Sequence, residues 1–296
     1  MKLIKKVVPA NFNIFLCGDV HTGTIMHYRK GWDKLVDMVL SPYEGVQPRN
    51  NFVVDHGDIV EAIMLDDFRF RPEEGITSPM MQMLDAIAIR MPIKKQIVTI
   101  LEGNHPLKLW KFGPITQMVC EGYKSFTGEG TVPGLGTEYG TYTCKVSWVD
   151  RKGELLFKSF HTHGRKGIMS QADDPIRQLA NWKLKLKKDL KEKAGDCMIM
   201  CKGHTHKLLI SEPKKRLYLT DDGSDINQQY TEADHTAAYI HPDLRWYCNT
   251  GSFLKLYAEM GISGYAEIAE YDPIELGFVI AKVRDRKIVG VDKIVL

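Results

Sequence analysis

Apolar residues along this chain fall into short runs, and five of those runs end in the same kind of residue. "FNIFLC" leads into Asp19 and His21, and "NNFVVDHGDIVEA" carries Asp58 just past its apolar core. "QIVTILEGNHP" ends in Asn104 and His105, "ELLFKSFHTHGRK" carries His161 and His163, and "DCMIMCKGHTHK" ends in His204 and His206. Runs this short, closed by glycine and polar residues, read as buried strands. Between them the apolar period becomes helical, over 22–40, 78–91, 113–128 and 173–195. In the last of these, Asp174 suits the N-cap, Pro175 the first helical position and Gly195 the C-terminal stop. Its Ile176, Leu179, Leu186 and Leu190 are expected to face the core, with the lysines solvated.

Strands alternating with helices predict a largely parallel sheet built from crossovers. In such sheets ligands bind beyond the carboxyl ends of the strands. The polar clusters sit at those ends, so they are expected to converge. From about residue 139 the pattern changes. "YGTYTCKVSWV" and "ELLFKSFHTH" flank a hairpin turn, "DRKG", and "KRLYLT", "LRWYCNTGSF" and "GYAEIAEYD" read as further strands. These predict a second, more antiparallel layer. No linker or internal repeat interrupts the chain, which predicts one domain spanning 1–296.

The composition, 44% hydrophobic and 26% charged, is that of a globular chain. No apolar run reaches the ~18 residues that a membrane span needs. The opening "MKLIKKVVPANFNIFLCGD" is interrupted by Pro9, Asn11 and Asn13 and reads as a first strand rather than an export signal. Six cysteines form no CxxC pair, and with no export signal a reducing, cytoplasmic setting is expected. The net charge of +3 is compatible with an anionic substrate and selects none.

Together the run ends supply carboxylates, an asparagine carbonyl and several imidazoles, but no thiolate. That donor set suits Mn, Fe or Zn better than Ca or Mg, and it is not that of a structural zinc site. There are more donors than one ion needs; two divalent ions sharing a carboxylate would use them all. Such a pair suits in-line displacement at phosphorus, with an imidazole placed to protonate the leaving oxygen.

"GDVH", "GDIVE", "GNH", "HTHG" and "GHTH", in that order, resemble the signatures of the calcineurin-like metallophosphoesterases, and "NTGSF" at 249–253 resembles a turn that follows them. The resemblance extends from 18 to 206. It implies an α/β fold, a four-layer αββα sandwich of two mixed β-sheets flanked by helices. It implies that Asp19, His21 and His206 hold one ion, that Asn104, His163 and His204 hold the other, and that Asp58 bridges them. His105 becomes the general acid or a transition-state stabiliser. The residue after "GNH" is commonly an acid in that family; here it is Pro106, and Glu102, Glu61 and His56 are the candidates to orient His105 in its place. His163 precedes a glycine as the family histidine does, but strand alternation puts His161 on the same side, so either a swap or a supporting role for His161 stays open.

The expected activity is hydrolysis of a phosphate ester, with phosphodiesters or nucleic acid slightly favoured over monoesters. Mn is the first choice of metal, with Fe or Zn as alternatives. Arg165 and Lys166, next to His163, are placed to meet a substrate phosphate. The segment 207–248 is expected to rim the site. The alternative is a non-catalytic scaffold or binding protein of the same fold, which would be expected to have lost ligands; every ligand position here is filled. No membrane partner is implied, and nothing in the sequence selects an oligomeric state.

Overall fold

A computed structural model describes the chain except residues 68, 72, 74, 77, 125–129 and 258–264. Strands β1 (Lys2–Val7) and β2 (Phe12–Cys17) lead through helix α1 (Arg29–Leu40) to β3 (Asn51–Asp55), then through α2 (Pro79–Arg90) to β4 (Ile97–Ile100). Short helices α3 (Asn104–Lys108) and α4 (Ile115–Glu121), strands β5 (Tyr123–Lys124) and β6 (Thr131–Val132), and β7 (Glu138–Tyr139) follow. Next come β8 (Thr143–Val149), β9 (Leu155–Thr162), α5 (Pro175–Leu190), β10 (Ile199–Lys202), β11 (Leu208–Ser211), β12 (Leu217–Asp221), β13 (Ile226–Tyr230) and β14 (Trp246–Thr250). Helix α6 (Tyr265–Ile268), β15 (Gly277–Arg284) and β16 (Lys287–Val295) complete the described elements.

Two six-stranded sheets result, ordered β16-β15-β2-β3-β4-β7 and β1-β8-β9-β10-β14-β11. Both are mixed: β2, β3 and β4 are mutually parallel, as are β9, β10 and β14, while β15–β16 and β8–β9 are antiparallel. Strand alternation divides each sheet into two apolar faces. Phe12, Ile14 and Leu16 of β2 point inward to meet Val146, Trp148 and Phe157 from the other sheet. Phe15 and Cys17 point outward to Trp32 and Leu35 of α1 and Met83 and Ala86 of α2. On the far side, Leu186 and Leu190 of α5 cover Phe160, Met200 and Tyr247. The layers are therefore helix, sheet, sheet, helix.

The five similar runs do not share one parallel sheet. The first three lie in one sheet, and the fourth and fifth lie in the other. A run buried on both faces looks the same whichever sheet receives it. "GYAEIAEYD" is not a strand: it contains α6 and then irregular chain, and its Gly264 lies outside the described residues. The helix read over 22–40 begins only at Arg29, and that over 113–128 stops at Glu121, where Gly122 takes a φ of 83°. Helix α5 is capped by Asp174, whose side chain accepts from Arg177 N at 2.8 Å. It ends at Leu190 rather than near Gly195, because buried Arg245 donates to the Lys191 and Ala194 carbonyls at 2.9 Å each. Ile176 and Leu179, expected in the core, are exposed. Several lysines of α5 are paired, Lys183 with Glu212, Lys185 with Asp189 and Lys187 with Asp243.

One buried ion pair ties α2 to the end of β3. Arg90 donates from Nε and Nη2 to Asp55 Oδ2 at 3.0 and 2.8 Å, and its guanidinium lies 4.9 Å from the Trp32 ring. The other Asp55 oxygen accepts Gly57 N at 3.1 Å, so the pair also shapes the turn before Asp58. Both side chains are essentially inaccessible. Arg90→Ala would strand a buried carboxylate, and a loss of about 3–5 kcal/mol is expected in urea unfolding.

Candidate metal centre

The parallel strands of each sheet end at the same pole of the sandwich. The residues following β2, β3 and β4 there face those following β9, β10 and β14. Asp19, His21, Asp58, His204 and His206 all turn the chain with φ between 47° and 70°. That left-handed region costs most residues ~1–2 kcal/mol and is tolerated best by residues such as Asp and Asn. Five such residues at one pole mark a site where strain is held by its surroundings. The surroundings here are backbone bonds: Asp19 N donates to Gly57 O and His21 N to Asp58 O, each at 2.9 Å. The "NTGSF" turn closes over the same loop, with Phe253 N and Ser252 Oγ both 3.0 Å from Asp19 O. Gly103 is required by proximity, because a Cβ there would lie 2.0 Å from Asp58 Oδ1.

Donor atoms of Asp19, His21 and His206 lie within 4.8 Å of one another, and so do those of Asp58, His163 and His204. A third such group, His21, Asp58 and His105, joins the two. Asn104 belongs with the second: its Oδ1 is 2.8 Å from His163 Nε2 and 2.7 Å from His204 Nδ1. Asp58 Oδ2 lies 3.3 Å from His163 Nε2 and 3.9 Å from His21 Nε2, between the two groups. Its Oδ1 accepts His105 N at 2.8 Å, and Asp19 Oδ2 accepts His204 N at the same distance.

The electrostatics follow from burial set against opposite charge. Burial pushes Asp58 up, but His163, His105 and His21 outweigh it and hold the carboxyl well below its usual range. Burial pulls His163 down, yet Asp58 beside it raises that imidazole to about 9. His21 is likewise lowered by burial and raised further by Glu61, whose Oε2 is 2.7 Å from His21 Nδ1, outside hydrogen-bond alignment. Burial and His163 push His204 down to about 4. Buried Asp19 Oδ1 and His21 Nε2 have no hydrogen-bond partner, and both face this cluster. Paired anionic oxygens, unpartnered donors and favoured positive charge fit divalent cations.

The supporting candidates separate. The Glu61 carboxylate holds His21, while its backbone carbonyl accepts His105 Nδ1–H, so the chain orients that ring without an acid at Pro106. Glu102 reaches no ligand; it accepts from Thr116 and Tyr139 at 2.5 and 2.8 Å. His163 Nδ1 donates to the His56 carbonyl at 2.7 Å, which turns Nε2 toward Asn104. His161 faces away from both donor groups. Trp148 Nε1 donates to Ser159 Oγ at 2.8 Å, Ser159 Oγ to His161 Nε2 at 2.7 Å, and His161 Nδ1 to His56 Nε2 at 3.0 Å. His56 Nδ1 then donates to Cys17 O at 3.1 Å. An indole that only donates and a carbonyl that only accepts fix the polarity of this chain, and both imidazoles are neutral. Burial pushes His56 down to about 4 and His161 well below its ordinary value. An unfolded imidazole titrates near ~6.5. Stability from these rings is therefore present above that pH and lost as pH falls toward 4. Thermal melts of metal-free protein are expected to show a falling Tm over that window, with a shallower fall in His161→Asn.

A cavity of about 570 Å³ opens over the cluster, lined by Asp58, Asn104, His105, His204 and His206 and also by Arg69, Lys207 and Tyr271. A second cavity of about 800 Å³ shares Arg69 and Tyr271 and adds Arg71, Lys108 and Lys111. Arg165 and Lys166 are exposed and line neither cavity. Within 207–248 only Lys207 lines them, because β11 runs antiparallel to β14 and carries the chain away from this pole. The sequence offered no signal for Arg69, and Tyr271 lies in the stretch "GYAEIAEYD" that the sequence pattern mistakes for a strand. Among the described residues, no helix is long and apolar enough to cross a membrane.

No protein-family model matches the chain, and no curated protein matches it. Among solved structures it is similar to a conserved uncharacterized protein (predicted phosphoesterase) from Streptococcus pneumoniae TIGR4. That likeness has 12% identity and a TM-score of 0.27, covering 98% of this chain and 100% of that one. At those values it adds nothing to the geometry above.

Proposed function

We propose that this chain hydrolyses a phosphate ester at a centre for two divalent ions, with manganese the first choice and iron or zinc the alternatives. Asp19, His21 and His206 would hold one ion and Asn104, His163 and His204 the other, with Asp58 shared. When bound, such ions supply Lewis acidity and an activated water at neutral pH. The observation that carries the reading is Asp58: one buried carboxylate stands between both donor groups, with its other oxygen fixed by His105 N. His105 donates Nδ1–H to the Glu61 carbonyl, so Nε2 is the nitrogen that takes up the imidazolium's second proton and gives it to a leaving oxygen. Its ring lies against His21, with centroids 4.6 Å apart, and it lines the cavity.

Diesters are placed before monoesters, and among them a nucleic-acid strand, whose charge continues past the scissile phosphate, is the one that Arg71 and Lys207 in the cavity linings suit; Lys108 and Lys111 are paired with Asp67 and Asp66. A panel of p-nitrophenyl phosphate, its bis ester, cyclic nucleotides, DNA and RNA, given to manganese-loaded protein, tests this. The bis ester is expected to turn over faster than the monoester, with activity lost to EDTA and restored by manganese. Bound metal with no ester hydrolysed would leave the scaffold reading instead.

A further inference from the structure

Between the two sheets lies a second group of metal-ligating side chains, with a donor chemistry unlike that of the pole. In β9 and β10, His161 stands in register with Cys201, and Cys201 in turn stands in register with Cys248 of β14. These three side chains form a row on one face of their sheet. His56, from the turn after β3, meets the row from the other sheet, with its Nε2 3.0 Å from His161 Nδ1. Donor atoms of His56, His161 and Cys201 all lie within 4.8 Å of one another, and all three residues are buried. Cys248, also buried, stands outside that group but within hydrogen-bond reach of Cys201.

The geometry suits a tetrahedral ion. Two nitrogens bound ~2.0–2.1 Å from one tetrahedral ion stand ~3.3 Å apart, close to the separation seen here. Each imidazole also has the outer partner that ligand histidines have. His56 Nδ1 faces the Cys17 carbonyl at 3.1 Å, and His161 Nε2 faces Ser159 Oγ at 2.7 Å. Without an ion, the proton on His161 Nδ1 fills the gap between the rings. An ion takes that place when His161 changes tautomer, carries its proton on Nε2 and donates it to Ser159 Oγ. Charge sets the number of thiolates. A divalent ion in a dry interior must be neutralised, and two thiolates do so. Cys248 supplies the second by turning about its one side-chain torsion.

We propose that His56, His161, Cys201 and Cys248 hold a structural zinc ion between the sheets. Two imidazoles and two thiolates make a closed four-coordinate set. Soft sulfur selects zinc over the harder manganese. The ion enters as the sheets close, because uptake at such a site is coupled to folding. It joins the turn after β3 to β9, β10 and β14. It also fixes His56, whose carbonyl accepts from Nδ1 of His163.

Cobalt(II), which takes the tetrahedral sites of zinc, tests this apart from any activity. The donor set at the pole contains no thiolate, so a sulfur-to-cobalt charge-transfer band reports the buried site alone. The full chain, refolded from urea with cobalt, is expected to show that band and to lose it when zinc competes. Asp58→Asn, which alters only the pole, should keep it. Cys201→Ala should abolish it, with folding checked by circular dichroism. Cys248→Ala should remove about half of it, since one of two thiolates is gone. No band in the unmutated chain would overturn the proposal, and so would an undiminished band in either cysteine variant.

Discussion

Asp58→Asn is expected to fold and yet to lose the capacity to hold two ions at once. Asparagine keeps the oxygen that accepts His105 N, so the backbone of that turn stays satisfied. What it removes is the charge that stands between the two donor groups and holds His163 near 9. In metal-free protein, NMR titration should show the His163 pKa falling toward its ordinary value. Equilibrium dialysis against manganese should show fewer than two ions per chain. Losing a partner that only orients a ligand already costs ~10–100-fold in metal affinity or activity, so a shared ligand should cost more than ~100-fold in turnover. Two ions at full occupancy with undiminished turnover would refute the bridging role.

His105→Ala is expected to keep both ions and lose most of the turnover. No donor of either group depends on the His105 ring; its links are to the Glu61 carbonyl and the edge of His21. A positioned proton donor is worth ~10²–10⁴ in rate. The loss should fall on kcat, with KM little changed. It should also be larger for esters of poor leaving groups than for p-nitrophenyl esters, whose leaving oxygen needs little protonation. Burial pushes His105 below its ordinary value, though Asp58 and Glu61 oppose this. A proton donor works only while protonated, so the variant should also flatten the alkaline side of the pH–rate profile. Parent rates on both kinds of ester would remove His105 from the chemistry.

That the seven candidate ligands and His105 meet at one pole was legible because their signals are local. A buried run ending in Gly-Asp or Gly-Asn announces a strand and a turn, and Asp58 Oδ1 is why a side chain has no room at Gly103. The N-cap at Asp174 and the strand-turn-strand around 150–153 were legible for the same reason. The choice between His161 and His163 was not, because alternation gives both one side of the strand. What separates them is where hydrogen bonds end: His161 in a chain from Trp148 to Cys17, His163 against Asn104. Arg165 and Lys166 looked well placed because they adjoin His163, but adjacency in sequence says nothing about which way a loop turns.

By itself, then, the sequence determined that its five similar runs are strands, what each carries at its end, and in what order, since period and burial are properties of a few neighbouring residues. The tertiary structure decided the rest. It split five similar runs between two sheets, ended α5 through an arginine some fifty residues later in the chain, and brought Arg69 and Tyr271 to the cavity. Each of those outcomes depends on contacts between residues far apart along the chain, and no local pattern encodes such contacts.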